Sequence, residues 1–172
     1  MRQIAVVLGI ATLVAWNLAP ATAQPVAQAV AIVPGKSIGQ FQIGMPLERA
    51  RQMMERFGSV ETYEGSLGHG FCNPDSGVGV CVFDRWTRFN LDSPGVVIYI
   101  LTDDARFATE PGGHKVGQAL LDLLKTFGLY TGGQATELLW ESRGLAADVA
   151  ATPTGLMVRF IGVYAPRTIA GQ

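Results

Sequence analysis

The feature that most constrains this chain is a pattern that occurs twice along it. The first copy reads PGKSIGQ and leads to a segment that ends in MMERFG. The second copy reads PGGHKVGQ and leads to a segment that ends in LLKTFG. Pro-Gly, a short polar spacer, an aliphatic residue, Gly and Gln therefore recur in one order. Internal similarity of this kind predicts two copies of one structural unit.

Each copy contains a predicted amphipathic helix. In GMPLERARQMMERFG, Pro46 suits the first helical position, and Gly58 can end the helix in a left-handed conformation. The second helix is predicted in VGQALLDLLKTFG and ends at Gly128. Both helices have apolar residues spaced by three or four positions. These are Leu47, Ala50, Met53, Met54 and Phe57 in the first helix, and Leu120, Leu121, Leu123, Leu124 and Phe127 in the second.

Strand-like segments follow both helices. They are VGVCVFDR and VVIYIL after the first helix, and TELLWES, LAADVA and LMVRFIGVY after the second. These segments are rich in apolar and β-branched residues and are separated by turn residues. We therefore predict an α+β fold of two similar helix-then-antiparallel-sheet units in tandem, with the helices packed on one sheet face. The predicted units cover residues 34–103 and 104–172.

The first 23 residues have the three-part layout of a secretory signal peptide. Arg2 precedes an apolar run, and the small residues ATA precede the predicted cleavage after Ala23. The run from Ile4 to Ala15 is shorter than the roughly 20 residues that span a bilayer. We therefore predict a signal peptide over 1–23, a linker over 24–33, and no stable membrane insertion after signal removal. The predicted location is periplasmic or secreted, and a signal kept as an anchor is the alternative.

The chain contains two cysteines, Cys72 and Cys81. They enclose NPDSGVGV, which has strong turn chemistry, so two strands that meet across it would bring the sulfur atoms together. An exported protein keeps such a bond, and we predict a disulfide. The alternative is a metal site formed by both cysteines with His69 and Asp75, but this spacing lacks the recognisable ligand pairs of zinc sites. No cofactor is predicted.

Residues 35–37 read Gly-Lys-Ser, which is how a phosphate-binding loop ends. That loop also needs a glycine five positions before Gly35, and this position is Val30. We therefore predict a turn at Gly35 with Lys36 and Ser37 exposed, and no nucleotide site. Nucleic acid is also excluded as a partner, because the formal net charge is −1 and the cations are scattered among acids.

The residues with side chains suited to catalysis do not form a complete set. His69 and His114 each lie among glycines and are predicted to be exposed loop residues. A disulfide removes the thiolate that a cysteine nucleophile needs. Asp103 and Asp104 are adjacent, so on a strand their side chains would point apart, and they are predicted to cap a turn. We predict a protein that is not an enzyme. The alternative is a small periplasmic hydrolase or metal-dependent enzyme that uses His69 or His114.

One segment, DRWTRFNLDSPG, mixes aromatic residues with arginines, as interface anchors do. The candidate partner-binding residues are Arg85, Trp86, Arg88 and Phe89. In the alternative interpretation, Trp86 and Phe89 belong to the core, because large aromatic side chains are mostly buried. Trp140 is predicted to be a core residue of the sheet.

The two helix leads, IGQFQIGMPLERARQMMERFG and DDARFATEPGGHKVGQALLDLLKTFG, resemble those of SmpA/OmlA (BamE-like) proteins and of the beta-lactamase inhibitor protein, which is built from two such repeats. The resemblance implies helices packed on antiparallel sheets and a non-enzymatic binding role toward an envelope assembly or a secreted enzyme. BamE-like proteins are lipoproteins with one unit, whereas this chain has no cysteine near the predicted cleavage site.

We therefore predict a soluble exported module of the bacterial cell envelope that binds another envelope or secreted protein. A carrier that holds an apolar ligand between helix and sheet is a further alternative.

Overall fold

The structure is a computed structural model that describes residues 30–73, 79–87 and 90–166. The predicted signal peptide, the predicted linker up to residue 29, and Asp75, Arg88 and Phe89 lie outside the described residues. The two α-helices of the described part are α1 (Leu47–Glu55) and α2 (Leu120–Phe127).

The described residues form thirteen strands. In chain order they are β1 (Val30–Val33), β2 (Ser37–Ile38), β3 (Phe41–Gln42), β4 (Glu61–Glu64), β5 (Gly68–Asn73), β6 (Val80–Trp86), β7 (Leu91–Asp92), β8 (Tyr99–Thr102), β9 (Phe107–Thr109), β10 (Gly132–Gln134), β11 (Glu137–Trp140), β12 (Leu145–Thr152) and β13 (Gly155–Tyr164).

Nine of these strands form one continuous sheet, which we call the large sheet. Its order is β10-β11-β12-β13-β8-β6-β5-β4, and β7 pairs with β6. Every pairing is antiparallel. The strands that follow the two helices meet at the centre, where β8 pairs with β13 from Tyr99↔Tyr164 to Thr102↔Ile161. The backbone hydrogen bonds of the large sheet therefore run through both halves of the chain.

The other four strands form a small sheet in the order β3-β2-β1-β9. Strand β1 pairs in parallel with β9, and Val30 lies opposite Phe107. Residues 30–33 were predicted to belong to a linker, but they form a strand of this sheet.

The predicted fold class is wrong. The protein is mostly β, with one large sheet shared by both predicted units and a small sheet that we did not predict. The helices are only 9 and 8 residues long, so neither unit is a helical layer on its own sheet. The physical reason is edge pairing. A strand that ends a separate sheet leaves a row of unpaired backbone groups, and β8 and β13 satisfy each other instead.

Both helices lie within the predicted segments, but α1 ends at Glu55, before the predicted end at Gly58, and Pro46 is its N-cap rather than its first helical residue. The apolar stripes of both helices are narrower than expected. Gly128 ends α2 with φ of 79°, as predicted. Phe57 lies beyond the end of α1 and is 46% exposed, and Leu121 is 59% exposed. Both residues were wrongly included among the buried positions.

The first face of the large sheet packs against both helices and the small sheet. Leu47, Ala50 and Met54 of α1 and Leu120, Leu123 and Phe127 of α2 belong to one buried cluster with Ile32, Ile38, Phe41 and Phe107 of the small sheet. Trp140 belongs to the same cluster, as predicted. All the helical packing of the described chain is therefore on this face.

The Gly-Lys-Ser segment forms the hairpin between β1 and β2, as the turn prediction requires. Gly35 has a φ of 72°, and its N–H donates a hydrogen bond to the carbonyl of Gly144 at 3.1 Å. Lys36 is exposed, but Ser37 is half-buried in β2. A Cβ on Gly144 would lie 2.1 Å from the Tyr164 carbonyl oxygen and 2.7 Å from the Gly35 Cα. These two glycines allow the hairpin to pack against the end of β13.

Candidate binding cavity on the second sheet face

The second face of the large sheet carries a separate buried cluster to which neither helix contributes. It consists of Phe83, Trp86, Tyr99, Leu101, Leu139, Ala146 and Tyr164. The Trp86 and Tyr99 rings are stacked, with centroids 3.9 Å apart and planes 4° apart. Strands have a side-chain period of two, so the residues that alternate with the first core reach this face.

Tyr99 lies flat across the neighbouring strand. A Cβ on Gly162 of β13 would lie 2.5 Å from the Tyr99 hydroxyl oxygen, so only glycine leaves room for the ring. The same hydroxyl donates a hydrogen bond to Glu137 Oε1 at 3.4 Å. Strands β8 and β11 are separated by β13 and β12, a backbone distance of about 14 Å for three strand spacings. Tyr99 therefore extends along the surface of the sheet toward β11.

A cavity of about 360 Å³ opens on this face, and we call it the second-face cavity. Its residues come from both halves of the large sheet. They are Tyr63, Leu67, Cys72, Cys81, Phe83, Tyr99, Leu101, Thr136, Glu137, Asp148, Arg159 and Phe160. Most of this lining is aromatic, aliphatic or disulfide surface, and the charged groups are concentrated on β11, β12 and β13. This combination is typical of small-molecule and side-chain pockets.

The charged groups of the cavity include two carboxylates in direct opposition. Glu137 and Asp148 are register partners across β11 and β12, and Glu137 is only 4% exposed. Like charges directly opposite each other destabilise a sheet. The Arg159 guanidinium offsets one of them, because its Nη2 lies 2.6 Å from Asp148 Oδ2. The described lining residues of the cavity therefore include two acidic side chains and one basic side chain.

The electrostatics also fix the role of Tyr99. Burial, and then the adjacent Glu137 carboxylate, raise the pKa of the Tyr99 phenol well above its ordinary value. The phenol stays neutral and donates, and the carboxylate accepts.

Of the predicted partner-binding residues, the structure describes Arg85 and Trp86. Trp86 is 1% exposed and packs in the second cluster, as the alternative interpretation as a core residue states, and partner binding by this segment stays a prediction. Arg85 is exposed and lies 3.8 Å from Asp92 on β7. Arg88 and Phe89 lie outside the described residues.

His69 is not an exposed loop residue as predicted but part of strand β5. Its Nδ1 lies 2.7 Å from Asp84 Oδ1, and Asp84 Oδ2 accepts the N–H of Gly95 at 2.9 Å. A histidine oriented by a buried carboxylate is part of a catalytic set, which also needs a nucleophile. Among residues 30–73, 79–87 and 90–166, the only hydrogen-bond partner of the His69 ring is Asp84. Neither residue lines the second-face cavity.

His114 is buried, which also contradicts the predicted exposed loop. Its Nε2 lies 2.6 Å from the hydroxyl of Thr126 on α2, and its ring packs against Phe127. The exposed loop was predicted because His114 lies among glycines. These glycines instead give the backbone the shape that places the His114 ring in the interior. This contact connects the segment after β9 to the helix.

The predicted disulfide is present. Cys72 and Cys81 are register partners on β5 and β6, and their sulfur atoms are 2.03 Å apart. Both residues line the second-face cavity, so the bond contributes to its wall. The alternative metal site loses its two sulfur ligands to this bond. The part of the chain that the structure describes has no group of three or more His, Cys, Asp or Glu residues placed to hold a metal ion.

The charged residues of the cavity, which could bind a ligand, were not predicted from the sequence. Asp148 and Arg159 are opposite charges inside the apolar segments LAADVA and LMVRFIGVY, and Glu137 opens the strand of TELLWES. Charged residues within otherwise apolar strands are a signal of paired or functional groups. The pattern does not show that strands β11, β12 and β13 are neighbours, and the cavity depends on that order.

Comparison with known proteins gives a structural similarity alone. No protein-family model matches the chain, and no curated protein matches its sequence significantly. The structure is similar to that of the Escherichia coli protein YfeY, itself described as uncharacterized, with a TM-score of 0.51 and 12% sequence identity. The match covers 77% of this chain and 98% of YfeY. It supports a shared fold, and the resemblance of the helix leads to BamE-like proteins stays a prediction.

Within the described residues, neither helix combines the length and the apolar composition needed to cross a bilayer.

Proposed function

We propose that this chain is an exported, non-enzymatic binding protein of the periplasm or the extracellular space, and that its second-face cavity takes a basic side chain of another protein. The observation that carries this proposal is the opposition of Glu137 and Asp148 in a cavity that is otherwise mostly apolar. A like-charge pair that weakens the sheet suggests a site that is completed by a bound cation.

The lining suits a lysine or arginine side chain in particular. Both side chains have an apolar stem and a charged head. The stem would contact Tyr63, Phe83 and Phe160, whose rings also attract cations through their faces. Arg159 already demonstrates this contact, because its guanidinium lies 5.5 Å from the centroid of the Phe160 ring. The head would reach Glu137, which lies beyond the apolar part.

The compartment is supported by the disulfide and by the predicted signal peptide. Disulfides persist in oxidising compartments and are rare in the reducing cytosol. A non-enzymatic role is favoured because the His69–Asp84 pair, the best catalytic fragment in the described residues, lies outside the cavity.

The test is affinity capture from a native envelope extract with three baits. These are the mature protein, a Glu137→Gln variant, and a Glu110→Gln variant as the matched control. Glu110 is exposed, does not line the cavity, and loses the same charge on substitution. We expect a protein that the mature bait and Glu110→Gln retain and that Glu137→Gln loses, with one basic residue of that protein required for retention.

A variant with Phe160→Ser, at a half-buried residue of the cavity lining, is a fourth bait that leaves both carboxylates in place. Circular dichroism and a thermal melt establish that each bait is folded. The proposal is wrong if folded Glu137→Gln and Phe160→Ser baits both retain the same proteins as the mature bait.

A further inference from the structure

A second ligand site is indicated on the small sheet, away from the second-face cavity. An apolar groove of about 300 Å³ opens between this sheet and Phe57, the second residue after the end of α1. Ile38, Phe41 and Phe107 form its floor and are buried. Val30 and Phe57 form its walls and are 43% and 46% exposed. Two large apolar side chains thus remain in solvent beside a recess lined mainly by apolar atoms.

A cationic recess of about 520 Å³ adjoins the groove. It is lined by Gln40, Arg49, Gln52, Met53 and Arg56, and Gln40 lines the groove as well. The last four residues are spaced by three and four positions on and just beyond α1, so they lie on one side of the helix. The two recesses share Gln40 as a lining residue and therefore lie next to each other, one apolar and one basic.

The two arginines of this site lack acidic partners. Within the described residues, Arg49 and Arg56 make no ion pair, whereas Arg51 on the same helix pairs with both Glu48 and Glu55. Arg106, at the groove, is already paired with Asp104. Two uncompensated guanidinium groups face an anion more favourably than a cation or a neutral head group.

We propose that this site binds an anionic amphiphile, a single acyl chain that ends in a carboxylate or phosphate. The chain occupies the groove between Val30 and Phe57, and the head group contacts Arg49 and Arg56. Binding of the acyl chain removes its own methylene groups and the exposed side chains of Val30 and Phe57 from water. The head group remains at the surface, where the arginines are also solvated. This ligand differs from the basic side chain proposed for the second-face cavity in both charge and location.

The test is isothermal titration calorimetry of the mature protein with octanoate, decanoate and dodecanoate at concentrations where each is monomeric. We expect saturable binding with one molecule per chain. The affinity should rise by about fourfold for each methylene that becomes fully buried. Arg49→Gln or Arg56→Gln should weaken dodecanoate binding by about 1.5-fold to fivefold, as expected for solvent-exposed ion pairs.

Arg51→Gln is the matched control, because it removes the same charge from the same helix but lies outside the site. Phe57→Gln should also weaken binding, whereas a substitution at Leu121, an exposed apolar residue on α2 outside the site, should not (Leu121→Gln). Octanol should bind with an affinity that Arg49→Gln leaves unchanged. All four residues are exposed, so these variants are expected to fold.

Three results would overturn the proposal: no saturable binding of any carboxylate, no dependence on chain length, or equal weakening by Arg51→Gln and Arg49→Gln. Co-sedimentation with phosphatidylglycerol vesicles distinguishes a bilayer surface from a single chain. Binding to the vesicles without binding of monomeric dodecanoate would also overturn it.

Discussion

Reduction of the disulfide between Cys72 and Cys81 should destabilise the protein without unfolding it. The bond joins register partners on β5 and β6, which also share backbone hydrogen bonds, so the hairpin can persist with two thiols. The main effect of the bond is on the unfolded chain, where it limits the conformations of the segment that it closes.

The magnitude follows from the length of that segment. The two cysteines are 9 positions apart. A closed loop of about this length lowers the entropy of the unfolded chain by about 9 cal/mol/K, which corresponds to about 2.6 kcal/mol at 25 °C. With a urea dependence of about 2 kcal/mol per molar, the unfolding midpoint should fall by about 1.3 M.

The assay is equilibrium urea unfolding, followed by tryptophan fluorescence, with and without a phosphine reductant. A Cys72→Ala/Cys81→Ala variant provides the control, since its midpoint should not respond to the reductant. Equal midpoints for the oxidised and reduced wild-type protein would refute the reasoning. Two free thiols in the native protein before reduction would also refute it.

Two further predictions concern stability. Gly144→Ala should cost about 2 to 5 kcal/mol in unfolding free energy, because it adds both left-handed strain and a clash with the Tyr164 carbonyl. Gly117 also has a positive φ, but a Cβ added there would lie in open space, so Gly117→Ala should lower the unfolding free energy by only about 1 to 2 kcal/mol. If urea unfolding gave the same loss for both variants, the contact between Gly144 and the Tyr164 carbonyl would not be the cause. A hydrogen bond from Arg106 lowers the pKa of Asp104. The pair therefore stabilises the fold at pH values above the ordinary aspartate pKa. This stabilisation is lost as the pH falls through the lowered pKa of Asp104. The melting temperature of Asp104→Asn should therefore be slightly lower than that of the wild type at pH 7 and should approach it in acid, and a difference independent of pH would contradict this cause.

The local elements of this fold could be predicted from the sequence because their signals are local. Gly128 marks the end of α2, and Asp104 caps a turn by accepting the N–H of Arg106 at 2.8 Å, as predicted. The cysteine pair also follows from a short turn between two strands. In each case the interacting residues are within ten positions of each other.

The parts that could not be predicted depend on contacts between distant segments. Strand β1 pairs with β9, more than 70 positions away, and a four-residue strand carries no signal of its partner. The burial of His114 also depends on a distant segment and could not be predicted from its neighbours in the sequence. Glycines near His114 are compatible with an exposed loop or with a buried ring, and the contacts with Thr126 and Phe127 of α2 decide between them.

The candidate cavity could be predicted only in part. The charges at Asp148 and Arg159 are visible in the sequence as interruptions of apolar strands. Their function as one wall of a cavity depends on a bulge between Asp148 and Val149, and on the order of the strands.

The pairing of β8 with β13 has a consequence for any attempt to divide this protein. Expression of residues 30–103 alone would leave one side of β8 without its hydrogen-bonding neighbour in the middle of the sheet. The bare strand would recruit β13 from another molecule if that segment were supplied in trans, which is the geometry of fragment complementation. Separately produced halves should therefore associate through the pairing of β8 with β13.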